Sequence, residues 1–226
     1  MKILLSVLVI MFGMLSGVAR ADGLNIVNGD FQQAGPMIYT CLAPANCAWN
    51  GGPIPGWSSN DPTNEYGSQI SGNAMYTSLP GGPITVWLNG GSIFQTLDVG
   101  LTPDTTYAFS IYVGHRLPDT TPLVPGDPGA DLIANYSISL TAGGDTLATL
   151  TGSNGSITPG TFALETLTYT TGATVAPGDI GITLASSGPQ IDFTDDALVT
   201  PEPSALIMFG SGLLGLAGVI RRKLIA

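Results

Sequence analysis

The chain reads as an all-β protein, a β-sandwich of the jelly-roll kind. Three observations lead there. Between the two ends no apolar pattern recurs at helical spacing; short stretches alternate apolar and polar residues instead. β-branched and aromatic residues, which suit a pleated surface, fill those stretches. Gly- and Pro-rich turn signals separate them closely, which predicts about eight to ten short strands folded as a sandwich or jelly roll. No repeat of fixed period suggests a propeller or solenoid.

"MKILLSVLVIMFGMLSGVARADG" has a basic start, a short apolar core and Ala19-Arg20-Ala21, the plan of a secretory signal peptide over 1–21, cleaved after Ala21. Residues 22–200 then form one domain. Residues 35–75 alternate poorly and are expected as long loops on one edge. "ITVWL" places Ile84, Val86 and Leu88 on one face, with Thr85 and Trp87 on the other. "TYAFSIYV" does the same with Tyr107, Phe109, Ile111 and Val113 against Ala108, Ser110 and Tyr112. "LIANYSISL", "TLATL", "FALETLTYT", "IGITLA" and "QIDFTDDALV" complete the set, and Gly143-Gly144-Asp145 marks a hairpin.

The tail, 201–226, opens with Pro201 and Pro203, which cannot continue a hydrogen-bonded strand. Residues 204–220 carry no charge. They make about 26 Å of helix, the lower limit for a hydrocarbon core of about 30 Å, and are expected as a single transmembrane helix. Arg221, Arg222 and Lys223 follow as a cytoplasmic stop. With a signal peptide in front, the domain lies outside the cytoplasm.

Charge narrows the function. Of 6 basic residues only Arg116 lies outside the two ends, while of 16 acidic ones only Glu202 leaves with the tail. A surface that acidic repels phosphate backbones, which argues against nucleic-acid binding. It attracts hard cations such as calcium, and equally serves the solubility of a secreted domain. Cys41 and Cys47, with Pro44 turning the chain between them, are expected to pair as a local disulfide in an oxidising compartment.

No Gly-x-Ser-x-Gly elbow, phosphate loop or His-Glu-x-x-His stretch is present, so no enzyme is expected; paired carboxylates of a glycan-active hydrolase are the residual catalytic alternative. His115, beside Arg116 in "YVGHRLPD", is either a ligand-binding or catalytic tip or a loop-edge pair offsetting acidic neighbours such as Asp119. Sugar faces pack on aromatic rings, which makes Trp49, Trp57, Tyr66 and Trp87, with Arg116, the candidate glycan-binding residues.

Two resemblances sharpen this reading. Pro201-Glu202-Pro203, the Gly-rich apolar helix and the basic cluster resemble the PEP-CTERM sorting signal. The resemblance implies recognition of Pro201, Glu202 and Pro203 by an exosortase-type processing enzyme, a transient membrane anchor, and export to the surface or matrix of a Gram-negative, exopolysaccharide-producing bacterium. "NIVNGDFQ", "SIFQTLDVGLTPDTTYAFSIYVG" and "QIDFTDDALV" resemble the opening, central and closing strands of galactose-binding-like jelly rolls, the fold of many carbohydrate-binding modules. That resemblance implies one structural calcium between the opening and closing strands, held by Asp30, Gln32 and Asp196, with Asp195 as a variant; Gln32 stands where the family usually has Glu. Together these predict a structural or adhesive protein associated with exopolysaccharide, alternatively a carbohydrate-binding protein with a genuine glycan site.

Overall fold

The computed structural model describes residues 22–41, 47–63, 65–72, 75–118 and 133–200. The expected signal peptide, transmembrane helix, sorting motif and basic tail lie outside these residues. Among the described residues no helix is long and apolar enough to cross a membrane.

The strands in chain order are β1 (Asp22–Leu24), β2 (Tyr39–Thr40), β3 (Ala48–Trp49), β4 (Ser58–Ser59), β5 (Tyr66–Ile70), β6 (Ile84–Leu88), β7 (Gly91–Gly100), β8 (Thr106–His115), β9 (Asn135–Ala142), β10 (Asp145–Ser153), β11 (Thr161–Thr170), β12 (Asp179–Ser187) and β13 (Ile191–Thr200). They form two sheets. The first runs β11-β8-β13-β6-β5-β3-β2, with β1 also on β13; the second runs β10-β9-β12-β7-β4. The molecule is therefore an all-β sandwich.

Alternation decides which side chains meet between the sheets. β8 sends Tyr107, Phe109, Ile111 and Val113 inward, and β9 answers with Tyr136, Ile138 and Leu140. β12 adds Ile180, Ile182 and Leu184, while β6 and β13 add Val86, Leu88, Ile191 and Phe193. Each such side chain contributes roughly 1.5–3 kcal/mol by leaving water. The β9–β10 hairpin turns through Gly143 and Gly144, both at positive φ (57° and 96°), a geometry only glycine adopts without strain.

The structure departs from the sequence reading over 35–75. This region contributes β2 to β5, and β5, β3 and β2 extend the edge of the first sheet. Three of these strands have two residues each, too short to show alternation.

Candidate active site

On the outer face of the first sheet, β5, β6, β13 and β8 lie side by side. Register puts Asp192 of β13 directly beside Trp87 on β6 and Gly114 on β8, and puts Gln69 of β5 beside Thr85 on β6. An outer sheet face is ordinarily wet. Here Gln69, Thr85, Asp192 and Thr194 are all buried, because the chain after β5 folds back over them. Ser71 N–H donates to Pro83 O at 3.0 Å, and the Ser71 and Thr85 hydroxyls pair at 2.8 Å. Met75 and Tyr76 follow, packed on Cys47, with Cys41, Leu79 and Phe162 at the margin.

Asp192 is the centre of this polar cluster. Its Oδ2 accepts from the Tyr76 hydroxyl, from Gln69 Nε2 at 2.8 Å and from Arg116 Nε at 2.9 Å. Its Oδ1 accepts from Gln190 Nε2 at 2.8 Å. Gln69 is itself fixed: its Nε2 also donates to Thr85 Oγ1 at 2.9 Å, and its Oε1 accepts from Arg116 Nη2. The Asp192 side chain is 1% exposed and that of Arg116 15%, so Arg116, with the half-buried Gln190, reaches toward solvent. Burial pushes the Tyr76 phenol well above its usual range; the Asp192 charge adds to this and Arg116 opposes it. Tyr76 therefore remains a hydrogen-bond donor. Gly114 makes room for it, since a Cβ there would lie 2.7 Å from the Tyr76 hydroxyl and 2.6 Å from the Phe162 ring. The arrangement is a buried carboxylate with one cationic and three neutral donors aimed at it, a setting suited to moving a proton.

Arg116 and Trp87, both chosen from the sequence, sit at this cluster, and the Trp87 indole Nε1 is buried without a partner. Trp49 lies in β3 at the sheet edge, beside Gln69 in register and stacked on Tyr39 at 5.2 Å. Trp57 and Tyr66 lie instead in the main core, Trp57 with its ring 5.3 Å from Phe31. The four aromatic residues are thus not gathered into one platform. His115 is buried at the end of β8, with Nδ1 2.7 Å from Ile157 O, rather than at a loop tip. Cys41 and Cys47 are joined in a disulfide.

Sequence reasoning missed Asp192, Gln69 and the role of Tyr76. One signal was present: "QIDFTDDALV" places an acid between two apolar residues of a strand, on the face away from the core. A carboxylate there needs partners wherever that face is covered.

The acidic pair proposed for calcium lies at the middle of β13. The β13–β8 register shifts between Thr194 and Ala197, and Asp195 takes φ 51° in that bulge. The bulge turns Asp196 against the opening segment: its N–H donates to Gly29 O at 2.8 Å, and a Cβ on Gly29 would lie 2.3 Å from Asp196 Oδ1. Both Asp196 carboxyl oxygens are buried with no partner. Burial first, then the charges of Asp195 and Asp30, push this carboxyl up to about 8. Gln32 is committed elsewhere: its Nε2 donates to Asp30 O at 2.8 Å and Ile84 O at 3.0 Å. Among the described residues no three His, Cys, Asp or Glu side chains converge as ligands. Orphaned carboxyl oxygens in a cradle that a Cβ would fill nevertheless fit a hard cation. Asp196 and Asp30 would hold it, with main-chain carbonyls completing an oxygen shell.

Beneath the covered outer face of one sheet of this all-β sandwich lies a buried carboxylate with its hydrogen-bond donors already in place. Residues 22–198 match the HpiC1-like family, described as HpiC1 cyclase; the chain belongs to that family. Residues 199–223 match the PEP-CTERM protein-sorting motif, which marks an exported protein sorted to the cell surface and processed by exosortase. No curated protein matches the chain. Among solved structures it is similar to a Stig cyclase, Fisc, from Fischerella sp. TAU in complex with (3Z)-3-(1-methyl-2-pyrrolidinylidene)-3H-indole, at 22% identity and TM-score 0.66 over 81% of this chain and 99% of that one. It is similar to a second Fischerella sp. TAU cyclase in complex with 4-(1H-indol-3-yl)butan-2-one, at 22% identity and TM-score 0.65 over 81% and 98%. A CBM4 carbohydrate-binding module is similar at 16% identity and TM-score 0.42 over 78% and 99%.

The family match corrects the expectation of a protein without catalysis: the family is one of cyclases. The absent motifs argued against particular hydrolases and phosphate-binding enzymes. They carried no information about a carboxylate presented by a strand.

Proposed function

We propose that the chain is an exported cyclase-type enzyme in which Asp192 moves the proton of an intramolecular ring closure. The observation that supports this most is the convergence of Tyr76, Gln69, Arg116 and Gln190 on that one buried carboxylate. Ring closure within one molecule is an isomerisation, so the proton taken from one substrate atom balances the proton given to another and no co-reactant is consumed. Asp192 accepts and returns that proton, Tyr76 and Gln69 hold the carboxylate in place, and Arg116 balances its charge. Substrate approaches past Arg116, whose side chain is 15% exposed. Trp87, beside Asp192, is buried with its indole N–H unpartnered and adds an apolar wall and a donor to the cluster. A bound calcium would anchor the β13 bulge and neutralise Asp196, four residues along the strand that carries Asp192.

The two Fischerella structures hold indole-bearing molecules, which makes such compounds the first substrate class to screen. Positioned proton transfer is worth about 10²–10⁴-fold in rate. Asp192→Asn is therefore expected to lower isomer formation, read by chromatography of equal-mass products, at least about 10²-fold while the folded far-ultraviolet spectrum persists. Equal turnover by the two proteins would remove Asp192 from the chemistry. Calorimetric binding of 4-(1H-indol-3-yl)butan-2-one tests the substrate class separately.

Processing completes the proposal: cleavage after Ala21, temporary anchoring by 204–220 with Arg221, Arg222 and Lys223 behind it, and delivery to an exopolysaccharide-bearing Gram-negative surface. The sorting motif also favours a second reading, a structural or adhesive role in that matrix. Polysaccharide retention that survives Asp192→Asn would support it as a separate property.

A further inference from the structure

A second, small core stands apart from the main one, made of Cys47, Met75 and Tyr76, with Cys41, Leu79 and Phe162 against it. The ring of Tyr76 is held in this core, 4.4 Å from the Phe162 ring, and its hydroxyl reaches out of it to Asp192. The main chain beside Tyr76 has its own anchors, Leu117 N–H to Met75 O at 2.8 Å and Thr77 N–H to Gly160 O at 2.9 Å. These fix the path of the segment and leave the ring to its side-chain neighbours. Cys47 joins this small core from the β2–β3 hairpin, whose register of Tyr39↔Trp49 and Thr40↔Ala48 is flanked by Ile38 N–H to Trp49 O at 3.1 Å and Cys41 N–H to Cys47 O at 3.0 Å. A ladder that short is marginal alone. The covalent bond between Cys41 and Cys47 clamps it at the loop end.

We propose that the Cys41–Cys47 disulfide is the positioning element that holds Tyr76 against Asp192, so that the site is completed only in a compartment where disulfides form. The sorting motif makes that compartment the exported side. In the cytoplasm both cysteines stay reduced; two thiols cannot remain at bonding distance, so the loop end of the hairpin opens and Cys47 withdraws from the small core that holds the ring. After export a thiol–disulfide oxidant takes two electrons and two protons from the pair, leaves as its dithiol, and the S–S bond seats the ring. The meaning for catalysis rests on the Asp192 reading above; the coupling of disulfide to ring does not.

The test reads Tyr76 directly, by phenolate absorbance near 295 nm during alkaline titration of the folded protein. In the oxidised protein Tyr76 is expected to stay un-ionised while exposed phenols titrate near pH 10, so Tyr76→Phe removes no phenolate from that titration. In C41S/C47S, and independently in wild type reduced with a phosphine, one further phenol is expected to ionise with the exposed set, and adding Tyr76→Phe should abolish it. Reoxidation of the reduced wild type should restore the original curve. A disulfide that merely raised global stability would lower the melting temperature and leave the phenol count unchanged, which would overturn the proposal. Unfolding of the whole domain on reduction would overturn it too, because the bond would then hold the fold rather than the ring. No substrate enters the measurement, so failure of this coupling and failure of Asp192 as the proton-transfer group are seen separately.

Discussion

Gly114 faces Asp192 across the β8–β13 pair, and its missing side chain is the space the Tyr76 hydroxyl occupies. Gly114→Ala is expected to displace Tyr76 and Phe162 together, costing about 1–3 kcal/mol by denaturant unfolding, with a loss of turnover larger than that destabilisation explains. Tyr76 also sets an alkaline limit. Its unfolded phenol ionises near 10.0, while the folded one is held well above that, first by burial. The stabilisation is therefore full below pH 10 and falls as pH rises past it, because the unfolded chain releases the proton first. Urea melts across that range should show wild type losing stability more steeply than Tyr76→Phe. At this scale the sequence was only partly legible. An aromatic residue in a turn-rich stretch carries no label for inside or outside, so Trp57 and Tyr66 read as a sugar platform although both fill the core. Arg116 was conspicuous as the one positive charge of the domain, yet its partner lies far along the chain and only folding brings the two together.

At the scale of elements, alternation performed well wherever a strand ran five residues or more. "ITVWL" became β6 with Val86 and Leu88 inward, and the Gly143-Gly144 hairpin formed where the turn residues placed it. Alternation could not announce that the opposite face of β6 is also buried, because the cover comes from a separate segment around Ser71 and Tyr76. The bulge in β13 was equally silent, since an extra residue in a strand leaves no mark in an alternating pattern. That bulge yields a test of the cation site. Calcium at millimolar concentration is expected to raise the melting temperature by several degrees, as roughly 2.7 kcal/mol at a hundredfold excess over Kd would do, and a chelator should reverse the shift. Asp196→Asn should abolish the response while leaving the calcium-free protein as stable or more stable, because it replaces an orphaned carboxyl with a neutral amide. A calcium response retained by Asp196→Asn would place the cation elsewhere.

For the whole molecule, the family match joins two properties that are separate in the chain, a cyclase domain over 22–198 and a sorting motif over 199–223. Glu202→Ala is expected to accumulate an unprocessed precursor in the inner-membrane fraction, with its domain folded and its site intact; normal surface delivery would show that Glu202 is not read. The join has a mechanical side. The chain passes into the sorting segment at Thr200, the last residue of β13, and β13 lies in the middle of its sheet with β8 on one side and β6 on the other. Tension applied through a tail anchored in a membrane or a matrix would therefore pull lengthwise on an interior strand. Its rungs to β8, spread over 192–194 and 197–199, would bear the load together instead of parting one at a time, with the short pairing to β6 at 191–193 behind them, and would help the domain stay folded while tethered against flow.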